Sequence, residues 1–215
     1  MTQRILLFCA HPDDEVLGAG ATIAKYTKEG NAVTVIIFSY GEKSHWWLKE
    51  KYTKEIRVKE AKTAGKLLGV KETLFLGLGD MKLPGETKRE EVRIKVKEFI
   101  EKIHPQKIFT HSIDDAVYPD HKAVYRIIES VTRQLSYRPE VYTFDIWNPI
   151  NIRHQHLPKL YVDVTATFRL KLKALGLFHS QRLAIFQLMP FVLIRAFKHG
   201  LASGCRFAER FYKIQ

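Results

Sequence analysis

The 215-residue sequence predicts an α/β protein, a Rossmann-like three-layer sandwich with a mostly parallel sheet. Three observations carry that prediction. Short β-branched runs alternate with longer charged segments of helical period. The strand candidates are apolar on both faces, as interior parallel strands are. Chemistry-bearing residues gather just after the strands, where open α/β sheets bind ligands. Element by element, Ile5 to Ala10 reads as a buried strand and Glu15 to Lys28 as a helix stopped by Gly30-Asn31. Ala32 to Phe38 is a second strand, and Lys54 to Leu68 an amphipathic helix ended by Gly69. Thr73 to Leu76 is the third strand, and Glu86 to Ile103 a highly charged helix. Lys107 to Thr110 is the fourth strand, and Lys122 to Leu135 the helix after it. Val141 to Trp147 and Leu160 to Val164 close the series as later strands. There is no repeat, low-complexity run or linker, so residues 1–215 read as one domain with a basic, apolar C-terminal segment at about 180–215.

Composition bounds the function. Hydrophobic residues make up 46% and charged residues 27%, which excludes disordered and fibrous classes. The net charge of +12 is concentrated late: residues 151–215 hold eleven Lys and Arg against Asp163 and Glu209 alone. No nucleic-acid-binding motif accompanies those cations, so nucleic acid is not an expected partner. Cys9 and Cys205 form no CxxC pattern, and the apolar run after Arg4 is too short for a signal-peptide core. A cytoplasmic location is therefore expected. The longest apolar stretch, Leu183 to Ile194, is broken by Gln187 and Pro190 and falls short of the roughly twenty residues a spanning helix needs. With Arg182, Arg195 and Lys198 beside it, it can lie in a membrane interface, while the plainer reading is a helix packed on the domain or across a homo-oligomer contact.

After the first strand comes Ala10-His11-Pro12-Asp13-Asp14-Glu15. After the fourth come His111, Asp114-Asp115 and Tyr118-Pro119-Asp120-His121. First and fourth strands are neighbours in the common doubly wound orders, so the two clusters meet. Two His and one Asp with an open position make a catalytic zinc site, and an adjacent carboxylate can move a proton. The plain alternative is a strand-to-helix turn in which Asp13 or Asp14 caps the helix.

The run His11-Pro12-Asp13-Asp14-Glu15-Val16-Leu17-Gly18 resembles the first motif of the LmbE-like, PIG-L-like zinc deacetylases of N-acetylglucosamine conjugates. Arg57-Val58-Lys59-Glu60-Ala61, Leu68-Gly69-Val70, Phe75-Leu76-Gly77, Asp80, Pro119-Asp120-His121, Lys173-Ala174, Ser180-Gln181 and Phe207 to Phe211 extend the likeness over nearly the whole chain. The resemblance implies that His11, Asp14 and His121 bind zinc or another divalent metal, and that Asp13 is the general base. It implies that Arg57 and Asp80 sit near the sugar hydroxyls, and that the substrate is an N-acetylated sugar conjugate, in some relatives lipid-linked. Where the family's second motif begins with His, this chain has Tyr118, so Asp120 loses its usual partner. The oxyanion donor is then open between Tyr118 and His111, and a third reading is a metal-containing sugar- or glycolipid-binding protein without turnover. His45-Trp46-Trp47, the pair His154 and His156, and His179 are further candidates: an aromatic platform, a second metal site and a substrate contact. Each has a bland counterpart in ordinary packing or solvation.

Overall fold

In a computed structural model, described for residues 2–44, 48–115, 118–146 and 156–215, the chain builds a seven-stranded sheet. Strands β1 (Arg4–Cys9), β2 (Ala32–Ser39), β3 (Glu72–Leu78), β4 (Lys107–His111) and β5 (Glu140–Phe144) are mutually parallel, in the order β3-β2-β1-β4-β5. Beyond β5 the sheet continues through β7 (Ala208–Lys213) to β6 (Lys159–Asp163), with β7 antiparallel to both neighbours. The helices are α1 (Asp14–Lys28), α2 (Glu50–Leu68), the short α3 (Leu83–Glu86), α4 (Glu90–Ile103), α5 (Pro119–Thr132), α6 (Phe168–Leu175) and α7 (Arg182–Ser203), with a 3-10 turn at His179–Gln181.

The two-sided apolarity of the central strands has a direct structural cause. On β1, Ile5, Leu7 and Cys9 face a core shared with α1, α2, α6 and α7. Leu6, Phe8 and Ala10 face a second core with α4 and α5. Each fully buried side chain of this size contributes about 1.5–3 kcal/mol, so β1 holds both layers together.

Three differences from the sequence reading have physical reasons. The predicted helix over 86–103 begins only at Glu90, because Glu86 closes the short α3 and the chain turns through Thr87 to Arg89. Helix α5 starts at Pro119 rather than Lys122: Tyr118 is extended and Pro119 takes the first helical position, where its missing N–H costs nothing. Asp120 and His121 are thereby set in the first turn of a helix. Strand β7 is absent from the sequence reading because Glu209, Arg210 and Lys213 interrupt its apolar pattern. Glu209 is nonetheless buried, paired with Lys171 of α6. Both glycine-marked helix ends hold, Gly69 taking φ 82° at the end of α2. The run His45-Trp46-Trp47, His154 and the end of the predicted strand at Trp147 lie outside the described residues.

Candidate metal centre

The chain order reverses at β1, which lies between β2 and β4, and the crevice this opens at the strands' C-terminal ends collects the candidate residues. His11 to Asp14 leave β1, Asp80 follows β3, and Tyr118 to His121 open α5 after β4. A cavity of about 320 Å³ is lined by His11, Asp13, Asp14, Arg57, Asp80, Tyr118, Asp120 and His121. Helix α7 supplies its apolar wall through Ala184, Ile185 and Leu188.

The ligating atoms of His11, Asp14 and His121 lie within 4.8 Å of one another. Asp14 Oδ1 is 3.5 Å from His121 Nε2, and Asp14 Oδ2 accepts the His11 backbone N–H at 2.7 Å, which closes the turn. His11 Nε2 lies 3.2 Å from Asp80 Oδ1 and 3.3 Å from Asp120 Oδ2. His121 Nδ1 lies 2.8 Å from Asp115 Oδ2, the carboxylate–imidazole contact that orients a metal-binding His. These groups fit a divalent cation on electrostatic grounds. Burial works against charge on His121, but Asp14 and Asp115 outweigh it and lift its pKa to about 9. Burial is likewise overridden at His11, which Asp120, Asp14 and Asp80 raise well above the usual imidazole range. Burial would also raise Asp14, yet the His121 and His111 imidazoles hold it well below the usual carboxylate range. The pocket thus stabilises positive charge at the point where three donors converge, and a divalent ion satisfies it in place of two protons.

Asp13 is distinct from that donor set. It adopts φ 107°, the left-handed region that costs a non-glycine residue about 1–3 kcal/mol. Its backbone N–H donates to Glu15 Oε2 at 3.0 Å, and Arg57 Nη2 donates to Asp13 Oδ2 at 3.0 Å. Burial raises the Asp13 pKa to about 7, against the pull of Arg57. Arg57 also donates to the carbonyls of Pro12 and Gly41, so it fixes the turn that carries Asp13. Gly41, at φ 65°, leaves room for that guanidinium where a Cβ would collide with it.

The structure brings together His11, Asp13, Asp14, Arg57, Asp80, Tyr118, Asp120 and His121, and places two expected residues elsewhere. His111 is fully buried behind Asp14, its Nε2 accepting the Ala10 N–H at 3.0 Å and lying 3.2 Å from Asp14 Oδ2. It does not line the cavity: its ring stacks on that of His121 at 4.0 Å and backs the donor set from the protein interior. His179 is exposed and outside the cavity; its neighbour Ser180 bonds Glu60, and Gln181 is the residue of that turn that reaches the wall. His156 is exposed and belongs to no metal-holding group among the described residues. Arg57 pairs with Asp13 rather than with Glu60 or Asp80. Tyr118 remains at the cavity mouth, its ring 5.2 Å from that of His121 and 6.1 Å from that of His11. Sequence reasoning left Asp115 and Glu15 without roles. The carboxylates were visible, but only the fold shows which one turns back onto His121 and which onto Asp13.

Imidazoles and carboxylates focused on one point at the switch of a doubly wound sheet define a metal-centred α/β enzyme. The family model for PIG-L, GlcNAc-PI de-N-acetylase, matches residues 6–132. A probable N-acetyl-alpha-D-glucosaminyl L-malate deacetylase 2 from Bacillus cereus is 30% identical over 196 residues, covering 87% of each chain. The N,N'-diacetylchitobiose deacetylase of Pyrococcus horikoshii superposes with a TM-score of 0.85 at 26% identity, covering 99% of this chain and 84% of that one. The 4-carboxy-2-hydroxymuconate hydratase of Pseudomonas putida shares the fold, with a TM-score of 0.86 at 20% identity over 100% and 97% of the two chains. The chain belongs to the PIG-L family, whose deacetylases are carbon–nitrogen hydrolases.

Proposed function

We propose that the chain is a zinc-dependent N-deacetylase that releases acetate and a free amine from an N-acetylglucosamine-type conjugate. The observation that carries this reading is the separation of roles at one cavity. Three donors converge, and beside them a buried carboxylate, Asp13, is held by Arg57 and is not one of the three. An ion held by His11, Asp14 and His121 supplies Lewis acidity to the amide carbonyl and acidifies the attacking water. Asp13, raised to about 7 by burial, takes the water's proton and returns it to the leaving amine, with a pKa matched to neutral pH. Tyr118 donates a hydrogen bond from its phenol O–H to the developing oxyanion and keeps its proton, since burial holds that phenol above its ordinary pKa. Asp80 and Asp120 hold His11 in place, and their remaining acceptor capacity suits sugar hydroxyls. The apolar wall from α7 admits an aglycone with hydrocarbon character, so a lipid-linked sugar falls within the proposal. Two free cysteines suit a reducing, cytoplasmic compartment.

The alternative is a non-catalytic metal-containing sugar or glycolipid binder. It gives no reason for a carboxylate outside the donor set to be buried and strained at Asp13. The test is metal content together with amine release from N-acetylglucosamine conjugates, wild type beside His11→Ala. About one equivalent of zinc, lost in the variant, with free amine appearing only in the wild type, is expected. No divalent metal after incubation with zinc salt would overturn the hydrolytic reading, and metal without amine release from any such conjugate would favour the binder.

A further inference from the structure

Helix α7 contributes to the cavity with one face and to no described neighbour with the other. Ile185, Leu188, Val192, Ala196 and Gly200 are buried on the inner face. On the outer face Leu183, Phe186, Leu193, Ile194, Phe197 and Leu201 recur at three- and four-residue steps through Pro190, and each is exposed. Phe186 is 75% and Leu183 74% exposed, values at which an isolated soluble fold gains nothing from a large apolar side chain. The stripe runs the length of a 22-residue helix, about 33 Å at 1.5 Å per residue.

The chemistry beside the stripe says what covers it. Helix α7 contains Arg182, Arg195 and Lys198 and no acidic residue, so a second copy laid along it would bring like charges together. Two adjoining cavities share Arg195 and Lys198. One, of about 400 Å³, is apolar through Ile146, Phe191 and Ile194. The other, of about 280 Å³, is cationic through Arg210, with the Tyr161 phenol and the His199 ring on its wall. The carboxylates facing this second cavity are Glu209 and Asp145. Glu209 is satisfied by Lys171 and by the Ala21 and Thr22 N–H groups; Arg195 donates to the Asp145 backbone carbonyl and also feels the Asp145 carboxylate, which leaves three cations facing that one carboxylate. Arg210 Nε is buried with no hydrogen-bond partner among the described residues. Cationic and apolar pockets side by side, edged by an apolar helix face, match a phosphate headgroup and the hydrocarbon next to it.

We propose that α7 docks the protein on an anionic phospholipid surface, with the stripe in the interface and a headgroup phosphate at Arg195, Lys198 and Arg210. The contact is peripheral. No single helix among the described residues is long and apolar enough to cross a bilayer. Helices α6 and α7 pass such a test only together, and they are bent 82° apart, with α6 packed into the core through Phe168, Ala174 and Leu175. The docking does not depend on which amide the enzyme cleaves.

The test is co-sedimentation of the full chain with vesicles of phosphatidylglycerol and phosphatidylcholine, against phosphatidylcholine alone, at low and high salt. The wild type should pellet with the anionic vesicles at low salt, at least tenfold more than with neutral ones, and return largely to the supernatant at high salt. Phe186→Ser/Phe197→Ser removes two exposed rings without touching the core. It should stay in the supernatant while keeping the wild-type circular dichroism spectrum and amine-release rate. Lys198→Glu should weaken pelleting and its salt dependence together. Wild-type protein left in the supernatant with anionic vesicles at low salt would overturn the proposal. So would equal pelleting with neutral vesicles, or undiminished pelleting of the double variant. A wild-type dimer that the double variant dissolves, without vesicle binding, would assign the stripe to a second copy instead.

Discussion

At the scale of single residues, Tyr118 is where this chain departs from its family's second motif, and its position decides what the departure does. The ring stands beside the two histidines of the donor set at the cavity mouth, whereas the other candidate donor, His111, is sealed behind Asp14. A phenol donates one hydrogen bond and carries no positive charge, so it stabilises an oxyanion by a neutral contact where an imidazolium would add a charge. Tyr118→Phe keeps the ring and removes only that donor. The variant should bind metal normally and lose tenfold or more in kcat, about 1.4 kcal/mol of transition-state stabilisation per decade. Steady-state amine release beside metal analysis checks this, and unchanged kcat would remove Tyr118 from the mechanism. Asp13 shows the complementary case, a residue whose backbone angle, partner and burial all serve one side chain. Its identity is legible in the motif; its strained φ of 107°, set in a turn that Asp14 and Glu15 close, and its pairing with Arg57 are not, because a motif does not show backbone angles and only the fold brings Arg57 onto that turn.

At the scale of elements, legibility followed burial pattern. Strands β1 and β2 were readable because they are apolar on both faces, and α2 because its stripe ends in a glycine. The break before α4 and the early start of α5 were missed, since both hang on local capping geometry in charged or proline-bearing segments. Strand β7 was missed for a different reason: its charged side chains are satisfied by tertiary partners that no local pattern reveals. One of these partnerships gives a prediction for the sheet. Glu140 of β5 lies 2.7 Å from Lys107 of β4 and 2.7 Å from Lys213 of β7, joining three adjacent strands. Hydrogen bonds from Lys107 and Lys213 pull its pKa down to about 2 from an ordinary 4.5. A depressed folded-state pKa means the stabilisation is fully present above 4.5 and lost as the pH falls toward 2. Glu140 is 38% exposed, so solvent screening limits each pair to about 0.2–1 kcal/mol. Glu140→Gln should lower the urea midpoint slightly at pH 7 and flatten the decline in stability between pH 4.5 and 2. A wild-type acid profile in the variant would show that the three-strand tie contributes nothing.

At the scale of the whole molecule, strand β7 is wired into helix α1, which opens with Asp14 of the candidate donor set. Helix α1 breaks its regular backbone at Ala19, φ −141° and ψ 15°. In an unbroken helix the Leu17 carbonyl would accept the Ala21 N–H, four residues on. Here the carbonyl accepts from Lys171 Nζ at 2.8 Å, while Glu209 accepts the Ala21 N–H at 3.3 Å and the Thr22 N–H at 2.7 Å. Lys171 and Glu209 meet at 2.6 Å with side chains only 5% and 6% exposed, so the ion pair bridges the gap in the helix ladder. A side chain inserted into the ladder is a known cause of a helix kink. Removing one partner leaves a buried, unpaired charge and an unmet backbone group, which costs about 3–5 kcal/mol. Lys171→Met and Glu209→Gln should each lower the unfolding free energy by that order in urea titrations. The double variant should cost clearly less than the two added together, with a coupling of about 0.5–3 kcal/mol. Strict additivity would mean that the two side chains support α1 independently and that no bridge joins β7 to the site.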